Sequence, residues 1–258
     1  MKSLLKAIDT IDAVAHAGSV GIRELASMTG FPPSTIHRIV ATLIAKQYLR
    51  QDPFTKRYSL SFRFLELGSQ VQQEFNLVSI ARPHLKRLMA EAKESVNLAV
   101  QDADSAVYLD CVQSNHSMLQ LFTKPGARVP LYATAVGKTF LSRMSESELN
   151  AYLERTRLTL NTPYTRIEHR KIIEDLKQVR LQGYAVDDEE MEEGVRCAAA
   201  LIYDHSGQPA AAISISGASM RVTPARVSYY GELTKTCASA ISRELGFHYS
   251  PQKPASEN

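Results

Sequence analysis

The chain has 258 residues, 44% hydrophobic and 22% charged, with a formal net charge of +3 at neutral pH. These are the proportions of an ordinary globular protein long enough for two cores, and they exclude disordered, collagenous and disulfide-stapled classes. No apolar run reaches membrane-spanning length, and Cys111, Cys197 and Cys237 are odd in number and widely spaced, so no membrane span and a reducing cytoplasm are expected.

Asp9 and Asp12 interrupt the apolar positions at the start of the chain, which is read as neither signal nor transit peptide. Residues 1–65 hold nine Lys and Arg against four acids, an excess of five, while the remainder holds 21 basic and 23 acidic residues. That asymmetry points to a small polyanion-binding module joined to a near-neutral second domain.

Leu4, Ile8, Ile11 and Ala15 recur at helical spacing and predict a first amphipathic helix. A short second helix is read in IRELASMTG, with Ile22, Leu25 and Ala26 inward and Gly30 as a left-handed cap. Pro32 and Pro33 then suit a helix entry, because their missing N–H donors would be unpaired there in any case. The third helix carries Ile36, Ile39, Val40, Leu43 and Ile44 on one face and Ser34, Thr35, His37, Arg38 and Thr42 on the other. Two helices joined through Thr29-Gly30-Phe31, the second displaying hydroxyls, His and Arg, make a helix-turn-helix.

Two β-like segments, 48–51 and 57–60, flank the turn at 52–56 and place Lys56 and Arg57 at a hairpin tip. A basic hairpin directly after a helix-turn-helix is a wing, and the expected partner is an operator in double-stranded DNA. Arg38 can donate a bidentate pair to guanine, Ser34, Thr35 and His37 can reach phosphates or bases, and Arg50, Lys56 and Arg57 would neutralise phosphates. Such readers usually act as dimers, because one module covers too few base pairs to be selective.

A helix including Phe64, Leu65 and Leu67 leads out of the wing, and a second begins at Leu77 with Ile80, His84, Leu85 and Leu88 inward. The period then changes to two, and strands are expected at 96–100, 106–112 and 118–122. Ser145 and Glu148 form a capping box for the next helix, and another runs from His169 to a stop at Gly183. Strands at 196–203 and 210–217 and a last helix from Thr223 to Gly246 complete an α+β domain with an antiparallel sheet covered by helices. The expected division is 1–65, a linker helix 66–82, the second domain 83–249 and a disordered tail 250–258.

Gly137-Lys138-Thr139 imitates the end of a phosphate-binding loop, but Tyr132 stands where that loop needs glycine. No nucleophile elbow or Cys–His pair suggests catalysis, and Cys197 and His205 lack the spacing of zinc ligands, so no cofactor or metal is expected. The acidic run DDEEMEEGVRC, 187–197, divides into Asp187 and Cys197 at the ends of two strands and a solvated connection, 188–193, closed by Gly194. In β-spacing, Ile213 and Ile215 share one face of a strand and Ser214 and Ser216 the other.

Taken in order, PSTIHR at 33–38, RYSL at 57–60, LELG at 65–68, ARPHL at 81–85, LYATAVGK at 131–138, GYAVDDEE at 183–190, GVRC at 194–197 and ISISG at 213–217 resemble the IclR-type bacterial transcription regulators over nearly the whole chain. The resemblance implies an N-terminal winged helix-turn-helix, a linker helix and a C-terminal GAF-like α/β effector-binding domain. It also implies a dimer or dimer of dimers acting on DNA, here as a repressor of a catabolic operon, under control of a small carboxylate metabolite. The positions matching the family's effector contacts are Ala135, Val136, Asp187, Cys197, Ser214 and Ser216. The effector would be a hydroxy, keto, sugar or aromatic acid. A hydroxy or keto acid would rest its carboxylate on the amides of Ala135 and Val136 and its other oxygens on Asp187, which accepts from a ligand hydroxyl, and on Ser214 and Ser216. Leu201 stands where similar proteins often carry proline. The competing reading is a small-molecule enzyme with an accessory nucleic-acid-binding module.

Overall fold

The computed structural model describes residues 2–74, 77–114 and 123–247. The chain divides into two compact units, Met1–Asn76 and Leu77–Asn258. That division falls inside the stretch expected as a linker, in which one helix is described to Glu74 and the next from Leu77. The tail expected at 250–258 lies outside the described residues, as does the strand expected at 118–122.

The first unit runs α1 (Lys2–Ala17), α2 (Ile22–Thr29), α3 (Pro33–Ala45), β1 (Leu49–Gln51), β2 (Tyr58–Leu60) and α4 (Arg63–Glu74). Its core gathers Val14, Leu25, Ile36, Val40, Leu43, Leu49 and Tyr58. Gly30 closes α2 in the left-handed region at φ 71°, and Pro33 opens α3. β1 and β2 pair antiparallel, with Leu49 opposite Leu60 and Arg50 opposite Ser59. Val20 and Tyr58 exchange backbone hydrogen bonds of 3.0 and 2.8 Å, which ties the hairpin to the segment before α2 and makes it a wing. The stripe read for α1 is corrected. Leu4 and Ile8 are 65% and 46% exposed, and the helix turns Thr10 and Val14 inward instead. Thr10 can occupy a core position because its hydroxyl donates to the Lys6 carbonyl at 2.7 Å.

The second unit runs α5 (Leu77–Ala92), β3 (Ser95–Asp102), β4 (Ser105–Val112), β5 (Arg128–Pro130), α6 (Ala135–Leu141), α7 (Glu146–Arg155), α8 (His169–Gln182), β6 (Ala185–Asp188), β7 (Val195–Tyr203), β8 (Pro209–Ala218) and α9 (Pro224–Glu244). The sheet order is β5-β4-β3-β8-β7-β6, and every neighbouring pair is antiparallel. Period-two alternation splits each strand between two cores. Val96, Leu98, Ile202, Ile213 and Ile215 pack under α5 and α9, while Ala99, Ala199, Leu201 and Ala212 pack with α6, α7 and α8. β5 is three residues long, too short for a periodic signal, and it was not expected. His84 is a satisfied inner histidine, with Nε2 2.7 Å from Glu244 and Nδ1 3.3 Å from Arg87.

Candidate ligand cavity and nucleic-acid interface

Antiparallel register assembles the candidate site from residues far apart in the chain. Asp187 on β6 pairs with Cys197 on β7, and Cys197 pairs with Ser216 on β8. One rung away, Ala199 pairs with Ser214, and Ser214 pairs with Asn97 on β3. Residues two apart on a strand share a face, so Asp187, Cys197, Ser214, Ser216 and Asn97 all look toward the α6 side of the sheet.

α6 covers this face. Thr134 caps it, its Oγ accepting from the Gly137 amide at 3.2 Å and donating to the Pro130 carbonyl at 2.8 Å. Ala135 and Val136 form the first turn, where helical N–H groups lack intrahelical acceptors. Gly137 serves close packing, because a Cβ there would lie 2.2 Å from the Leu131 Cα. Lys138 is 2% exposed and donates to the Val186 carbonyl at 2.9 Å, to Asp175 at 2.7 Å and to Glu190.

That last contact corrects the reading of 188–193 as a solvated connection at Glu190, while Asp188, Glu192 and Glu193 are exposed as expected. Glu190 is 1% exposed and is shared by Lys138 and Arg166, which also pairs with Asp175. Asp188 and Glu189 are held by Arg196 at 2.6 and 3.1 Å, and Arg196 also bonds the carbonyls of Ser219 and Val222. Three acids of the run, Asp188, Glu189 and Glu190, are thus paired with cations from α6, the loop before α8, and β7. The turn itself is as expected, with Gly194 at φ 78°.

Between sheet, α6 and the acidic loop lies a cavity of about 600 Å³. Ala135, Val136, Asp187, Cys197, Ser214 and Ser216 all line it, together with Tyr108, Thr134, Met191, Glu192 and Glu193. No Lys, Arg or His is among the described lining residues. Burial pushes the Asp187 carboxyl up to about 7, against the pull of Lys138 and the Glu190 amide. Burial also raises the Cys197 thiol, with Asp187 adding to the shift, so this cysteine is a small neutral wall. Asn97 is fully buried and donates to Ser214 Oγ at 3.2 Å and Ser216 Oγ at 3.1 Å. Sequence reasoning missed it, although a lone amide between Val96 and Leu98 on an apolar strand was the available signal. Among the described residues no cluster of His, Cys, Asp or Glu is placed to hold a metal ion.

In the first unit, Ser34, His37, Arg38 and Thr42 are exposed along α3, and Thr35 is half-buried. Thr42 bonds back to the Arg38 carbonyl at 3.0 Å. On the wing, Asp52 accepts the Phe54 and Thr55 amides at 2.9 and 2.7 Å, which shapes the tip and leaves Lys56 exposed. Arg50 donates to Ser59 Oγ at 3.0 Å and lies 5.7 Å from the Phe62 ring. Arg57 differs from the other two. Its guanidinium forks onto Glu24 of α2 at 2.7 and 3.2 Å and reaches the Ser19 carbonyl at 2.8 Å, clamping wing to helix-turn-helix.

Residues 3–53 match the IclR helix-turn-helix domain, and residues 69–243 match the bacterial transcriptional regulator IclR C-terminal domain. The chain belongs to the IclR family of transcriptional regulators. It is 34% identical to the HTH-type transcriptional regulator BhcR of Paracoccus denitrificans, covering 100% of this chain and 90% of that protein. It is 35% identical to the transcriptional repressor IclR of Escherichia coli, covering 95% and 90%. The crystal structure of the Thermotoga maritima IclR superposes with a TM-score of 0.78 at 34% identity, covering 96% of this chain and 100% of that one. As an IclR-type protein the chain is a regulator and not an enzyme, and its helix-turn-helix is the DNA-binding part. IclR-type regulators bind DNA operators and small-molecule effectors, the two functions for which the α3 face and the cavity are the candidates. No helix among the described residues is long and apolar enough to cross a membrane.

Proposed function

We propose that this IclR-type regulator is a cytoplasmic repressor of a catabolic operon whose operator affinity is set by a small carboxylate held in the cavity of the second unit. The observation that carries the reading is the convergence of Asp187, Cys197, Ser214 and Ser216, from three strands, on one cavity wall opposite Ala135 and Val136. The cavity volume suits a ligand of small-metabolite size. The serine hydroxyls and the first-turn amides supply donors for a carboxylate. A buried carboxyl titrating near neutrality serves a neighbouring oxygen in either state: ionised Asp187 accepts from a ligand hydroxyl, and protonated Asp187 donates to a ligand keto oxygen.

On the DNA side, Arg38, with Ser34, Thr35, His37 and Thr42 around it, reads the major groove, while Arg50 and Lys56 meet phosphates. Arg57 contributes mainly by holding the wing in place. Selectivity for an operator calls for two modules, so the working species is a dimer or a dimer of dimers. Repression is the direction suggested by the E. coli relative that is a repressor.

The test is a thermal-shift screen of the purified protein against hydroxy, keto, sugar and aromatic acids. A true ligand stabilises the fold by mass action, and the shift is expected to vanish in Ser214→Ala/Ser216→Ala. A shift that survives this double substitution would place the ligand elsewhere.

A further inference from the structure

We propose that Asn97 determines what the cavity selects, by holding Ser214 and Ser216 as hydrogen-bond donors so that a carboxylate is preferred to its neutral amide. This deepens the effector reading above and rests on it.

Asn97 sits on β3 as the register partner of Ser214, fully buried behind the wall that the two serines present to the cavity. Its Nδ2 donates to both serine Oγ atoms, at 3.2 and 3.1 Å, which uses both N–H bonds of the amide. A hydroxyl that accepts still has its own proton to place. The competing partners for those protons are weak, each serine for the other at 3.5 Å and the Cys197 thiol for Ser216, so a ligand carboxylate in the cavity that both residues line is the better acceptor for both.

The orientation of the amide is itself determined by energetics. Turned over, Asn97 would take both serine protons onto Oδ1 and give up the two hydrogen bonds that its N–H groups now make. As placed, a single acceptor, Oδ1, is without a partner among the described residues. Under-satisfied carbonyls are tolerated in folded proteins more often than orphaned donors, and the placed orientation leaves only a carbonyl of that kind.

Polarity matters here because no cation among the described lining residues is placed to do the selecting. The described lining holds Asp187, Glu192 and Glu193 and no cation. A carboxylate therefore gains its preference from donors fixed before it arrives, and two charge-assisted hydrogen bonds suffice for about tenfold or more. A primary amide is a weaker acceptor and gains less from the same two hydroxyls.

The test is calorimetric titration of the full chain with lactate, pyruvate, gluconate and benzoate, each beside its own primary amide. The wild type is expected to bind at least one acid about tenfold or more tightly than its amide. In Asn97→Asp the new carboxylate takes up the serine protons, and acid affinity is expected to fall at least about tenfold while amide affinity stays within about threefold. Asn97→Ala, which adds no charge, separates polarity from repulsion. It should narrow the acid preference, and it carries the test if the aspartate variant does not fold. Equal weakening of acid and amide in either variant would make Asn97 a packing residue and overturn the proposal. So would an acid preference that survives both variants. If no acid and no amide binds the wild type, the effector reading fails first and this inference falls with it.

Discussion

Asp187 on β6 and Cys197 on β7 are cross-strand partners, and the carboxyl of the first is buried against the thiol of the second. The Glu190 and Met191 amides, at 2.8 and 3.3 Å, hold Asp187 Oδ1 in place. The row continues through Ser216, so a proton-binding group and a hydroxyl share one wall of the cavity.

A pH dependence follows from that carboxyl. Its folded value, about 7, lies above its ordinary 3.8, so its protonation favours the folded state at low pH and that contribution is lost as pH rises through about 7. An anionic ligand entering a cavity with no cation among its described lining residues favours the protonated acid further. Carboxylate affinity should be flat below about pH 7 and weaken by up to about tenfold per unit above it, with proton uptake on binding. Asp187→Asn should remove the slope, and titrations in buffers of different ionisation enthalpy check the proton count.

Lys138 and Glu190 should behave as a buried pair. Replacing Lys138 by Met leaves Glu190 with Arg166 alone and is expected to cost about 3 kcal/mol in denaturant unfolding, within the range for breaking buried pairs. Lys138→Met with Glu190→Leu should cost less than the two single substitutions added together.

Gly137→Ala tests the packing account of the Gly-Lys motif. The added methyl meets the Leu131 backbone at 2.2 Å, so a loss of about 1–3 kcal/mol is expected despite alanine's better helix propensity. Equal or higher stability in a thermal melt would contradict the close approach of α6 to that segment.

The basic wing residues should separate by experiment. Lys56→Ala is expected to weaken DNA binding across sequences and lower the slope of log affinity against log salt by about one. Arg57→Ala should also destabilise the first unit, because it releases the clamp onto Glu24 and the Ser19 carbonyl. Salt titrations and melts of the two variants distinguish these roles.

The features legible in the sequence are those that local chemistry dictates. Gly30 and Pro33 mark the turn and entry of the helix-turn-helix, Ser145 and Glu148 form the capping box, and the alternation of Ile213 to Ser216 divides β8 between core and cavity. What stayed hidden depends on partners distant in sequence. Glu190 looked solvated because its neutraliser, Lys138, stands 52 positions away. Asn97 gains meaning only from serines on a strand 117 and 119 positions later. In α1, periodicity favoured Leu4 and Ile8, whereas packing against α2 and α3 selected Thr10 and Val14.

The central claim is that a carboxylate in the cavity changes how the protein holds DNA. The direct measurement is fluorescence anisotropy on an operator duplex selected by the protein from a random pool, titrated with and without the acid that gives the largest thermal shift. The account predicts that the acid shifts operator affinity at least about fivefold in the wild type, within the usual range of allosteric coupling, and leaves it unchanged in Ser214→Ala/Ser216→Ala. An operator affinity indifferent to the acid in the wild type, or equally sensitive in the serine variant, would contradict it.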